Sequence, residues 1–131
     1  IPTLKYIGGN FQGTLFIKGH IGSIIPAEMP SCHSGNEIVC TKLLATNTMR
    51  QKNFLNICDA LRGTFERKKP WFYKGLIASA DPIAAEVISL KTMHEKRKAM
   101  ALSAVEIRDY VLKGEKDFKL GNASESNIQV I

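Results

Sequence analysis

The chain has 131 residues, of which 44% are hydrophobic, so it can bury the core of one domain and is short for two. The sequence contains no run of about 18 apolar residues, so it predicts no membrane span. No secretory signal peptide is recognisable at its start. The net charge is +6, and much of the excess lies in Arg67-Lys68-Lys69 and in Glu95 to Lys98. Such runs are typical of solvated helix ends and loops, and without interleaved aromatic residues they do not favour a nucleic-acid partner.

Cysteine usage excludes two further classes. The three cysteines are Cys32, Cys40 and Cys58, and none has Cys-x-x-Cys spacing. This argues against a disulfide scaffold and against an iron–sulfur cluster or zinc ion bound by this chain alone. Cys58 lies in an apolar run and is predicted to be a core thiol. Cys32 and His33 could bind metal or activate a thiol, but adjacent side chains usually diverge.

The first half of the chain alternates strand and helix patterns. A strand end is predicted at Ile1 to Tyr6, and Thr14 to Ile21 fits either a buried helix or a strand. An apolar face predicts a helix over Asn36 to Met49, and a second strand follows from Asn53 to Asp59. The polar stretch from Leu61 to Phe72 is interpreted as a long connection, which is usually functional or mobile.

The clearest local signal is a strand, a tight turn and a helix. An apolar run predicts a third strand over Tyr73 to Ala80, and helical spacing predicts a helix from Pro82 to about Met100. Asp81 suits the N-cap, and proline suits the first helical position, where its missing N–H has no partner. Asp81 is thus explained by capping alone, or by capping together with a role at a site.

The remaining elements complete an α/β pattern. Ser103 and Glu106 form a capping box that predicts a helix over Ser103 to Leu112, and Ile128 to Ile131 suit a last strand. Alternating strands and helices favour the α/β class with a mostly parallel sheet flanked by helices. We expect one domain over residues 1–131. Its apolar, strand-like beginning suggests an incomplete domain with an open sheet edge, covered by a second copy or by a missing N-terminal half.

Several polar residues lie near the predicted strand ends. Three of them lie at or near the C-terminal ends of predicted strands: Lys5, Asp59 and Asp81. Parallel strands would bring these residues to one edge of the sheet. Two carboxylates and a lysine suit cation or phosphate binding, or acid–base chemistry. Lys18 and His20 interrupt an apolar segment, which is costly unless they find partners or face a cavity. Snorkelling, interior hydrogen bonds and turn capping are the structural explanations.

The ordered motifs resemble domain-of-unknown-function family 362. Ile1 to Lys5, Gly13 to Ser23 and His33 are similar to that family's "P-x-L-K … G-x-T-L-x-L-K-N-H-x-G-S … H". Ile57 to Gly63 resembles "I-x-D-A-L-x-G", Asp81 to Glu86 resembles "D-P-V-A-x-D", and Glu95-Lys96-Arg97 matches "E-K-R".

The resemblance implies a bacterial or archaeal α/β domain, often exported or fused to iron–sulfur ferredoxin modules, with no firmly attached reaction. It favours a helix for the Thr14 to Ile21 segment and implies that further sheet precedes Lys5. Gly19 replaces the usual Asn, Glu86 replaces the usual Asp, and Tyr6 and Ile7 stand where a histidine often follows the lysine. The last departure weakens a metal or cofactor interpretation of the region around Lys5.

Three functions follow as hypotheses. The first is a ligand- or cofactor-binding α/β domain, redox-associated by resemblance, that holds a small-molecule or anionic ligand. Its expected site residues are Lys5, Lys18, His20, His33, Asp59 and Asp81. The second is a metal-assisted hydrolase or transferase that uses Asp59, Asp81 and His20. The third is a structural or interaction domain without a small-molecule site. The sequence names neither a cofactor nor a compartment.

Overall fold

The computed structural model describes residues 2–7, 13, 15–24, 27, 30, 32, 38–66 and 70–131. The strands are β1 (Thr3–Tyr6), β2 (Asn56–Phe65) and β3 (Trp71–Ser79). The α-helices are α1 (Phe16–Gly19), α2 (Ile38–Leu44), α3 (Asn47–Lys52), α4 (Pro82–Ala99) and α5 (Asp109–Lys116). Short 3₁₀ turns span His20–Ser23 and Glu125–Asn127. The fold belongs to the α/β class.

Among the described residues the sheet has three strands in the order β1-β2-β3, and one of its two pairings is parallel and the other antiparallel. Strand β1 is parallel to β2, with Thr3 opposite Asp59 and Tyr6 opposite Phe65. Strand β3 is antiparallel to β2, with Asn56 opposite Ser79. The expectation of a mostly parallel sheet is therefore wrong: the sheet is mixed.

The error came from the stretch between β2 and β3. Leu61 to Phe72 was expected to be a long connection, but β2 continues through Phe65 and β3 already begins at Trp71. A connection this short can join only antiparallel neighbours, because a parallel crossover needs a dozen or more residues. Asp59 consequently lies inside a strand rather than at its end.

Helix α4 is the central helix, and its start matches the sequence prediction. The Asp81 Oδ1 atom accepts hydrogen bonds from the backbone N–H groups of Ile83 (2.9 Å) and Ala84 (2.8 Å), and Pro82 occupies the first turn. The helix packs against β3, α1 and α5. Its buried apolar side chains share one core with the sheet: Ile83, Ala85, Val87, Leu90 and Met93.

The other helices differ from the predictions in their bounds. The described part of Asn36 to Met49 forms two helices, because Thr46 ends α2 and caps α3, its Oγ1 accepting from the Met49 N–H at 3.4 Å. Ser103 does not start a helix: α5 begins only at Asp109. The Ser103 oxygens instead accept hydrogen bonds from Arg97. Residues 128–131 form no strand, although Ile128 packs against the core.

The sheet is covered by helices on one face and carries exposed apolar side chains on the other. Cys58 and Ala60 point into the core, so their neighbours along β2 point away from it. On this outer face the side chains of Leu61, Phe72 and Leu76 are 56%, 64% and 66% exposed. Among the described helices none combines the length and apolar character needed to cross a bilayer.

Candidate functional site

The structure separates the predicted site residues. Lys5 on β1 lies opposite Thr64, near the end of β2. Asp81 follows β3, whose last residues lie opposite Asn56 at the start of β2. Because β2 and β3 are antiparallel, Lys5 and Asp81 lie toward opposite ends of the sheet. His33 lies outside the described residues.

The Asp81 carboxylate is engaged at both oxygens. Oδ1 caps α4, and Oδ2 accepts from the backbone N–H (2.8 Å) and the side-chain amide (2.9 Å) of Asn122. The preceding Gly121 has φ +156°, and an added Cβ there would lie 1.8 Å from Asp81 Oδ1. Asp81 thus fastens the segment after α5 to the start of α4, which accounts for the residue without a ligand.

Asp59 also has a local partner. Its Oδ1 accepts from the Leu61 backbone N–H at 2.9 Å, beside the register irregularity between Ala60 and Arg62. Within the part of the chain that the structure describes, no group of three or more His, Cys, Asp or Glu side chains is placed to hold a metal ion. The arrangement of Asp59, Asp81 and His20 that the metal-assisted hypothesis requires is not formed there.

Lys18 and His20 sit on the first helical turns and are both half-buried. The pKa of the Cys40 thiol is raised to about 12, chiefly by burial. The positive charge of Lys18 acts in the opposite direction and lowers this pKa. Burial also raises the pKa of the Cys58 thiol to about 12, which fits the predicted core thiol. Neither thiol is therefore a ready nucleophile at neutral pH.

His20 lines a cavity of about 280 Å³ between the 3₁₀ turn and the start of β2. The cavity wall is completed by Pro2, Phe16, Gly19, Asn53, Leu55, Asn56 and Ile57. Burial lowers the pKa of His20 below 6.5, so its imidazole is mainly neutral at pH 7 and has one donor and one acceptor nitrogen. Two asparagines supply further polar groups against an apolar background. The sequence flagged His20, but not the asparagines beside it.

Sequence reasoning did not include Glu86 among the candidate site residues, yet it is a fully buried charged group. Oε1 accepts from the Leu15 N–H (2.8 Å) and the Tyr110 hydroxyl (3.1 Å). Oε2 accepts from the N–H groups of Phe16 (2.6 Å) and Ile17 (3.1 Å). Burial raises the pKa of Glu86 to about 7 against the opposite effect of these four donors.

Arg97 is a second buried charge, in a run that was expected to be solvated. Its guanidinium lies 3.9 Å from the Tyr6 ring centroid, and Nε and Nη2 donate to the carbonyl (2.7 Å) and hydroxyl (2.8 Å) of Ser103. Glu66 Oε1 lies 3.7 Å from Nη2. These contacts tie the end of α4 to β1 and to the segment before α5, so Arg97 has a structural role.

Glu86 had a sequence signal that could have been used, whereas Arg97 lies within a run of charged residues and had none. Glu86 is flanked by Ala85 and Val87 in a stretch that is apolar on every side. A lone charge in such a stretch indicates a buried, hydrogen-bonded group.

Comparison of the chain with protein-family models, curated proteins and solved structures finds no match, so the resemblance to family 362 stays a prediction.

Proposed function

We propose that the chain is a ligand-binding α/β domain whose small-molecule site is the His20 cavity. The observation that carries this proposal is the grouping of His20, Asn53 and Asn56 around one cavity of about 280 Å³. Ligand sites combine apolar walls with a few convergent polar groups, and this cavity does so with Phe16 and Leu55 as apolar wall residues.

The lining predicts what the ligand presents to the protein. A neutral imidazole and two carboxamides can each donate and accept a hydrogen bond, and none carries a full charge at pH 7. One N–H of Asn56 already donates to the Ser79 carbonyl (3.2 Å), which leaves its second N–H and its oxygen for a ligand. They match a small polar group with both donors and acceptors. The resemblance to family 362 adds a redox association to the proposal, so nucleotide cofactors belong among the test compounds.

The metal-assisted alternative has weaker support. Both oxygens of Asp81 already accept hydrogen bonds from the chain itself, and Asp59 accepts from Leu61. A metal ion would have to displace those donors before it could bind either carboxylate.

A thermal-shift screen tests the proposal with nucleotides, nucleosides, phosphate and divalent metal ions. A ligand held at about 100 times its dissociation constant should stabilise the fold by about 2.7 kcal/mol. His20→Ala should abolish that shift. His94→Ala is the matched control, since His94 is also half-buried but contacts the Val105 carbonyl (3.1 Å) away from the cavity.

Two outcomes would overturn the proposal. In the first, no compound raises the melting temperature of the wild-type chain, which would leave the structural or interaction hypothesis as the better account. In the second, His20→Ala keeps the full shift while His94→Ala loses it, which would place the ligand in another cavity.

A further inference from the structure

A second cavity of about 240 Å³ adjoins the His20 cavity, because Asn53 lines both. Its charged lining residues are Arg50 from α3 and Lys119 from the turn after α5, both exposed at its mouth. The rest of the wall comes from Leu44, Asn53, Leu120 and the two residues that flank Asp81. The Asp81 carboxylate is bound by the start of α4 and by Asn122, so the two cations are the charged groups that line this cavity among the described residues.

The Arg50 guanidinium is held in place by two backbone carbonyls. Arg50 Nε donates to the Ala45 carbonyl at 2.9 Å, and Nη2 donates to the Phe118 carbonyl. The guanidinium therefore links α3 to the turn that carries Lys119. Lys119 itself has φ +52°, a left-handed conformation that glycine adopts more easily than lysine. The chain keeps a lysine at a position where its backbone would favour glycine.

We propose that Arg50 and Lys119 bind the anionic end of the ligand whose polar end occupies the His20 cavity. This inference rests on the proposed function and names the ligand class: a small phosphate monoester. Two cations match the dianionic charge of a phosphate better than the single charge of a carboxylate, and the Arg50 N–H groups that do not bind Ala45 or Phe118 can donate to phosphate oxygens. Asn53 lies where the two halves of such a ligand would join.

The test titrates inorganic phosphate, glycerol phosphate and acetate into the full chain at fixed ionic strength, with binding followed by calorimetry. We expect both phosphates to bind more tightly than acetate. Lys119→Gly should weaken phosphate binding at least tenfold without lowering the melting temperature, because glycine relieves the positive φ. Lys74→Gly is the matched control: it removes the same charge at φ +66°, on β3, and should leave affinity within twofold.

The outcomes separate this inference from the proposed function. If compounds bind the His20 cavity but phosphate does not bind, or if Lys74→Gly and Lys119→Gly weaken phosphate equally, the inference is wrong and the proposed function stands. If phosphate binding depends on Lys119 while His20→Ala leaves the affinity of every monoester unchanged, the anion site stands and the link to the His20 cavity fails.

Discussion

Glu86 gives the sharpest prediction, because one carboxylate accepts hydrogen bonds from Leu15, Phe16, Ile17 and Tyr110. Glu86→Gln keeps the volume and the neutral charge of the protonated carboxyl, which already turns an O–H toward one pair of these donors as the amide turns an NH₂. The substitution should therefore lower the free energy of unfolding by no more than about 1–3 kcal/mol near pH 4, the cost of one buried donor left without an acceptor.

The size of this loss should depend on pH with a defined sign. Burial raises the Glu86 pKa from 4.5 to about 7 in the folded chain, so the folded state binds a proton more tightly than the unfolded state. The stabilisation linked to Glu86 is fully present below pH 4.5 and is lost as the pH rises to about 7. The shift corresponds to about 3 kcal/mol, so between pH 4 and 8 wild type should lose about that amount relative to Glu86→Gln, and the variant should equal or exceed wild type in stability at pH 8.

Urea unfolding of both proteins across this pH range measures the difference directly. Glu95→Gln is the matched control, since Glu95 lies on the same helix but is exposed and should show almost no loss at any pH. If the difference in free energy of unfolding between wild type and Glu86→Gln stays constant from pH 4 to 8, the raised pKa of Glu86 is refuted. If wild type gains stability relative to Glu86→Gln as the pH rises, the hydrogen-bond donors outweigh burial and the pKa of Glu86 is lowered.

Three further predictions concern stability and are measured by urea unfolding at pH 7. Asp81→Ala removes both the α4 cap and the Asn122 contacts and should lower the free energy of unfolding by about 2–4 kcal/mol. Asp81→Ser keeps the cap and should lose about 1 kcal/mol less. Equal losses in the two variants would refute the double role of Asp81. Arg97→Lys should cost about 2–4 kcal/mol because lysine cannot reproduce the fork to Ser103; a loss below 1 kcal/mol would contradict this role. Gly63→Ala should be more damaging than Gly22→Ala, because a Cβ at position 63 would lie 2.8 Å from the Leu4 carbonyl and 2.4 Å from the Trp71 ring, whereas position 22 is open.

The local structure was predictable where neighbouring residues decide it. Asp81 and Pro82 define the start of α4, since capping and the fixed proline φ act within one turn. Cys58 was correctly placed in the core, because an apolar strand of this kind faces inward. Each of these features needs only the residues next to it in the chain.

Features that depend on distant pairing were missed. The direction of β3 relative to β2 depends on how far each strand extends, and the polar residues after Asp59 hid the second half of β2. The burial of Glu86 depends on donors about 70 residues away in sequence. The candidate site was predictable only at His20, because Asn53, Arg50 and Lys119 join it from separate segments. Whether a second copy covers the sheet edge stays a prediction.

The mixed sheet has a consequence for the order of folding. Strands β2 and β3 are separated by only a few residues and can pair early, because closing a short loop costs little entropy. Strand β1 must find β2 across more than fifty intervening positions, and α1 depends on a carboxylate supplied by α4. The N-terminal segment is therefore expected to dock last and to open first. Amide hydrogen exchange at residues 15–17 would then report a partial opening rather than global unfolding.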